Sequence, residues 1–97
     1  MIREVDTENE VNRIGYFAVI PATVLFNNSL KPNEKLLYAL ITALSNKEGY
    51  CYASNKYLGE LLNVTPRTIT RLISVLINEN LIMTNYNEVH DRQIFIK

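Results

Sequence analysis

The run Leu58-Gly59-Glu60-Leu61-Leu62-Asn63-Val64-Thr65-Pro66-Arg67-Thr68-Ile69-Thr70-Arg71-Leu72 constrains this chain more than any other. It reads as a short helix, a tight turn and a longer helix with a strong start signal. Thr65 is an N-cap residue type. Pro66 falls at the first helical position, where its missing N–H would be unpaired in any case. Beyond it, Ile69, Leu72, Ile73, Leu76 and Ile77 recur at i, i+3, i+4, i+7 and i+8 and form one apolar stripe. At about 100° per residue, Arg67, Arg71, Ser74 and Asn78 gather on the opposite face. A buried stripe backed by arginine and small polar residues suits a helix lying in a DNA groove.

The residues before Thr65 agree with a helix pair. Ser54 is a capping residue for a helix that runs to about Leu62, with Leu58, Leu61 and Leu62 facing inward. Gly59 costs roughly 1 kcal/mol of helix propensity relative to alanine, and its missing side chain lets the following helix approach closely. Asn63 sits at the turn, where a left-handed backbone is often needed and asparagine is among the few tolerant side chains.

Upstream, residues 1–14 form an acidic, flexible leader, and the domain occupies 15–97. Gly15–Pro21 is a short apolar, β-prone run closed by proline, suited to an edge strand or an extended segment. Ala22–Asn27 has the composition of a helical turn, with Val24, Leu25 and Phe26 as core anchors. Lys31–Ser45 is a helix opened by Pro32, with Leu36, Leu37, Leu40, Ile41 and Leu44 as its buried stripe; Lys31 is a poor capping side chain. Asn46–Gly49 supplies its stop, and Tyr50-Cys51-Tyr52 reads as a short strand. Downstream of the Pro66–Asn80 helix, with Asn80 as C-cap, Leu81–Tyr86 and Arg92–Lys97 read as two strands around an Asn87–Asp91 turn. The resulting class is α+β, mostly α: three helices plus a C-terminal β-hairpin wing and a short N-terminal strand, the order of a winged helix-turn-helix.

Charge neither demands nor excludes a nucleic-acid partner. The 97 residues carry 10 basic and 10 acidic side chains. Residues 1–30 hold Arg3 and Arg13 against Glu4, Asp6, Glu8 and Glu10, whereas Ser54–Arg71 holds Lys56, Arg67 and Arg71 against Glu60. An acidic leader thus precedes a locally basic motif. Cys51 is the single cysteine, so no internal disulfide or cysteine-rich zinc site forms, which fits a reducing cytoplasm. No apolar run is long enough to span a membrane.

The residues Leu58, Leu61, Leu62, Val64, Thr65, Arg67, Thr68, Ile69, Arg71 and Leu76, followed by Asn80-Leu81-Ile82, resemble the pattern of winged helix-turn-helix domains. With Ile20-Pro21, Leu30–Tyr38 and Gly49–Ser54 added, the chain is similar to the N-terminal domain of phage and plasmid replication initiators and replisome organisers, the group related to DnaD-type primosome proteins. That resemblance implies double-stranded DNA as partner and origin binding as role. It also implies a longer protein whose C-terminal region engages replisome proteins. It assigns base-edge and phosphate contacts to Thr65, Arg67, Thr68 and Arg71 at the start of the recognition helix; Ser74 joins the candidates from its place on the same helical face. Backbone contacts fall to Ser54, Asn55 and Lys56 at the start of the preceding helix, and Arg92 is the one firm cation of the wing tip. Two features depart from the pattern: Asn63 replaces the usual turn glycine, and Asn87–Arg92 is not a basic finger.

Simpler readings stand beside these. Arg67 and Arg71 are also compatible with an ordinary solvated face, and Ser54 with a cap and nothing more. His90 beside Glu88 and Asp91 lacks a preset ligand geometry, so no metal is expected. Tyr50, Tyr52 and Tyr57 suit half-buried packing at a helix–strand junction better than base stacking. No nucleophile–base pair, phosphate loop or paired carboxylates can be placed, so neither an enzyme nor a cofactor is expected. Tyr16–Ile20, or the leader, is a candidate surface for a homodimer. A transcriptional regulator using the same helix, or a winged helix devoted to protein interaction, remains an alternative function.

Overall fold

Each long helix begins where the sequence places a start signal. The computed structural model describes residues 17–89 and 91–97. Within them α1 spans Ala22–Leu25, α2 Pro32–Leu44, α3 Asn55–Leu62 and α4 Pro66–Asn78, followed by strands β1 (Ile82–Tyr86) and β2 (Arg92–Ile96). The two strands pair antiparallel, with Ile82 opposite Ile96, Thr84 opposite Ile94 and Tyr86 opposite Arg92. This is an α+β, mostly α, winged helix-turn-helix.

The caps explain the boundaries. Pro32 is the first residue of α2, and Glu34 Oε1 accepts the Lys31 N–H at 2.7 Å. A lysine side chain has no acceptor, so only this returning half of a capping box is made. Ser54 Oγ caps α3 by accepting the Tyr57 N–H at 3.1 Å, and Thr65 Oγ1 caps α4 by accepting the Thr68 N–H at 3.1 Å. Between α3 and α4, Asn63 adopts φ 60° and ψ 45°, the left-handed conformation expected of it. Asn63→Gly is expected to change stability by no more than a few tenths of a kcal/mol. Asn63→Val is expected to cost about 1–2 kcal/mol, read as a lower thermal midpoint.

The core lies where α2, α3 and α4 meet under the hairpin. Leu37, Ile41, Leu58, Ile69, Leu72, Leu76, Ile82 and Ile94 are all essentially excluded from water. Each contributes about 1.5–3 kcal/mol by burial. Cys51 is buried with them and joins the hairpin through a reciprocal pair of 2.8 Å backbone hydrogen bonds with Ile94. Burial pushes its thiol pKa up, in keeping with a small hydrophobe rather than a reactive group.

Several expectations are corrected. In α2, Leu36 is half exposed and the small Ala39 and Ala43 are buried elsewhere on the helix, while Glu34, Leu37, Tyr38 and Ile41 form the face turned to the core. At about 100° per residue Leu36 points away from those four, and the run of leucines concealed Tyr38 as a core residue. Ile77 is likewise 40% exposed, because it lies roughly 90° from the centre of the α4 stripe. One turn of α1 aims only Val24 inward, leaving Leu25 and Phe26 exposed. Helix α4 stops at Asn78 rather than Asn80. Asn80 lies beyond the cap with φ 62°, where the Leu81 N–H reaches the Leu76 carbonyl at 3.0 Å.

The expected strand at residues 50–52 reduces to a single bridge at Cys51, and residues 17–21 form no strand. The latter segment is extended against a helix instead, its Val19 N–H donated to Thr42 Oγ1 of α2 at 2.9 Å. A helix offers side-chain partners but no ladder, so the segment's pairing is irregular. The leader 1–14, Tyr16 and His90 lie outside the described residues.

Candidate nucleic-acid interface

Three elements carry the candidate polar groups: the outer face of α4, the start of α3, and the turn end of the hairpin. On α4, Arg67, Thr70, Arg71, Ser74 and Asn78 are exposed. Their placement follows from the stripe beneath them, since burying Ile69, Leu72, Ile73 and Leu76 leaves the opposite side for water.

The side chains singled out by sequence fall into two groups. Most are held by partners within the protein. Thr65 caps α4, and its hydroxyl also donates to Thr68 Oγ1 at 3.0 Å. Ser54 is occupied as the α3 cap, and Ser74 Oγ turns back to the Thr70 carbonyl at 3.1 Å. Asn55 Nδ2 donates to Thr70 Oγ1 at 3.0 Å, which ties the start of α3 to the middle of α4. Arg71 forms an ion pair with Glu34 at 4.0 Å, and Arg92 Nη2 donates to the Ala53 carbonyl at 2.8 Å. The second group is small. Arg67 and Lys56 are exposed, and neither makes a hydrogen bond or ion pair with another described residue.

Ser54, Asn55 and Arg92 meet in one cleft of about 630 Å³ between the start of α3 and the hairpin. Tyr50, Tyr52 and Tyr86 line it too, as do the acids Glu48 and Asp91. Tyr50 packs against Phe95 with ring centroids 5.5 Å apart, as a junction residue should. Tyr52 does not follow the expected half-buried packing, being 68% exposed, and Tyr86 is 61% exposed. Alternation explains Tyr52: Cys51 points into the core, and the residue that follows it is turned outward. Asn55 Oδ1 is buried there without a hydrogen-bond partner among the described residues.

Two contributors escaped the sequence reading. Thr70 is the polar link between α3 and α4, and its exposure was legible from the period of the α4 stripe. Glu34 was legible only as a first-turn acid. Its pairing with Arg71, 37 positions later in the chain, is a product of how α2 and α4 pack.

The family model described as a helix-turn-helix domain matches residues 27–82, more than half of the sequence. The chain belongs to this family. The match covers α2, α3 and α4 and ends at the first residue of β1, so the wing follows from the structure rather than from the match. Two solved structures share the fold. A structure described as the N-terminal domain of a DNA binding protein superposes with a TM-score of 0.66 at 20% identity, covering 91% of this chain and 79% of that one. A Rep–DNA complex gives 0.65 at 20% identity with the same coverage. No curated protein matches the sequence. No helix among the described residues is long and apolar enough to cross a membrane.

Proposed function

We propose that this helix-turn-helix domain binds double-stranded DNA sequence-specifically in replication initiation, as a binding module rather than an enzyme. In this reading α4 enters the major groove, and the start of α3 approaches the phosphate backbone. The observation that carries it is Arg67. It stands in the first turn of α4, exposed and without a partner among the described residues, on a helix held rigidly by its buried stripe. Its planar fork matches the paired acceptors of guanine or one phosphate. Lys56 supplies a second cation for the backbone. Fold likeness to a Rep–DNA complex supports a replication role over a transcriptional one, which would use the same face.

Arg67→Ala is expected to weaken duplex binding by about 1–2 kcal/mol, a factor of roughly 5–30, in anisotropy titrations on a selected duplex. The parent's affinity should also fall steeply between 50 and 200 mM salt, as counterion release requires. Unchanged affinity in the alanine variant would remove α4 from the groove. One observation favours a second reading, a winged helix for protein interaction: Phe17 and Val19 are both exposed in the extended N-terminal segment. Absence of salt-dependent duplex binding together with sedimentation as a dimer would establish that reading instead.

A further inference from the structure

Glu34 is the charged side chain that the described fold buries, at 3% exposure. A carboxylate withdrawn from water requires hydrogen bonds and a counter-charge. The α2 N-terminus supplies the first, since Oε1 accepts the Lys31 N–H. The recognition helix supplies the second, since Oε2 lies 4.0 Å from Nη1 of Arg71. Neighbouring Lys35 is not a competitor, because its Nζ donates to the Leu25 carbonyl at 2.6 Å. Arg71 is therefore an unusual member of the α4 face: its side chain is 59% exposed, yet its charge is answered from inside the protein.

We propose that Glu34 is a positioning residue that tethers Arg71 to α2 and withholds it from indiscriminate phosphate contact. Sequence-independent binding then rests on Arg67 and Lys56, and Arg71 adds little to it. Specificity is a ratio of affinities, so a recognition-face cation that non-specific DNA cannot freely use raises that ratio. The inference rests on the DNA-binding reading above.

The test uses the full chain and a fluorescent 24-base-pair duplex of random sequence, titrated between 50 and 200 mM salt. Four proteins are compared: the parent, Glu34→Gln, Arg71→Ala and the double variant. Glutamine keeps an oxygen to accept the Lys31 N–H while removing the charge. Glu34→Gln is expected to bind about three- to tenfold more tightly at 50 mM salt, with a salt slope steeper by about one. Arg71→Ala is expected to lose less affinity in the parent than in the Glu34→Gln background, and the double variant should show none of the gain.

Three results overturn the inference: no gain in Glu34→Gln, the same gain with or without Arg71, or an Arg71→Ala loss in the parent as large as in Glu34→Gln. The second of these would mark a general charge effect. A parent that binds no duplex would sink the DNA-binding reading and this inference with it. Should Glu34→Gln fail to fold, ¹⁵N relaxation of the parent decides. The Arg71 Nε–H is expected to be more ordered than that of Arg67, and equal mobility would overturn the tether.

Discussion

Leu72→Ala is expected to cost about 2–5 kcal/mol of folding stability. Leu72 is 1% exposed and lies between α4 and α2, directly beside the ion-paired Arg71 and lining the same small groove as Glu34. Truncation removes its transfer free energy and leaves a cavity that two capped helices cannot easily close. A domain of this size has about 5–15 kcal/mol in total, so the loss would reach a large share of it. Urea titration followed by circular dichroism should show a lower midpoint with an unchanged slope. Leu36→Ala is the matched control. It removes the same atoms, but from a half-exposed site on α2, and should shift stability by no more than about 0.5 kcal/mol. Equal effects of the two would mean that the buried face of α2 has been placed wrongly.

Gly59→Ala is expected to destabilise the domain by about 2 kcal/mol, despite alanine's better helix propensity. A Cβ on Gly59 would stand 2.5 Å from the Val64 carbonyl oxygen and 3.4 Å from the Thr65 carbonyl carbon. These are backbone atoms of the turn that leads into α4, so no side chain can swing aside to make room. Overpacking costs typically about 1–3 kcal/mol, and the rigid neighbour places this case near the top of that range. The propensity gain of about 1 kcal/mol offsets only part of a clash that shifts the turn itself. Thermal melts measure the loss. Duplex binding by the fraction that remains folded should also weaken, because the turn sets the angle at which Arg67 is presented. A Gly59→Ala protein as stable as the parent would show that α3 and the turn can separate at little cost.

Helix starts were legible because they depend on few neighbouring residues. Ser54, Thr65 and Pro66 act within three or four positions of themselves, and the structure shows each doing what its chemistry allows. The left-handed turn at Asn63 and the close approach at Gly59 were legible for the same reason. The α4 stripe was legible except at its margin, where Ile77 turns partly to water. Errors gathered where one helix has apolar residues on more than one side. In α2 the run of leucines fits several stripes, and only packing against α4 selects the face that includes Tyr38 and Glu34. The N-terminal segment was legible only as a strand or an extended run: Tyr16–Ile20 has strand-forming residues, and the described part of it is extended against a helix rather than a strand.

The candidate site divides along the same line. That Arg67, Arg71 and Ser74 share a face follows from 3.6 residues per turn and needed no structure. How free each of them is could not be read that way. Arg67 and Arg71 are one helical turn apart and chemically identical, yet one faces water alone and the other faces the carboxylate of Glu34. Arg92, read from sequence as the wing's cation, is instead drawn back to the Ala53 carbonyl. By itself, then, the sequence determined the helix-turn-helix, its caps and the composition of its outer face, because these rest on local geometry. The tertiary structure alone decided which of those cations remain available to a partner, because counter-charges and carbonyls are brought to them from distant parts of the chain by packing.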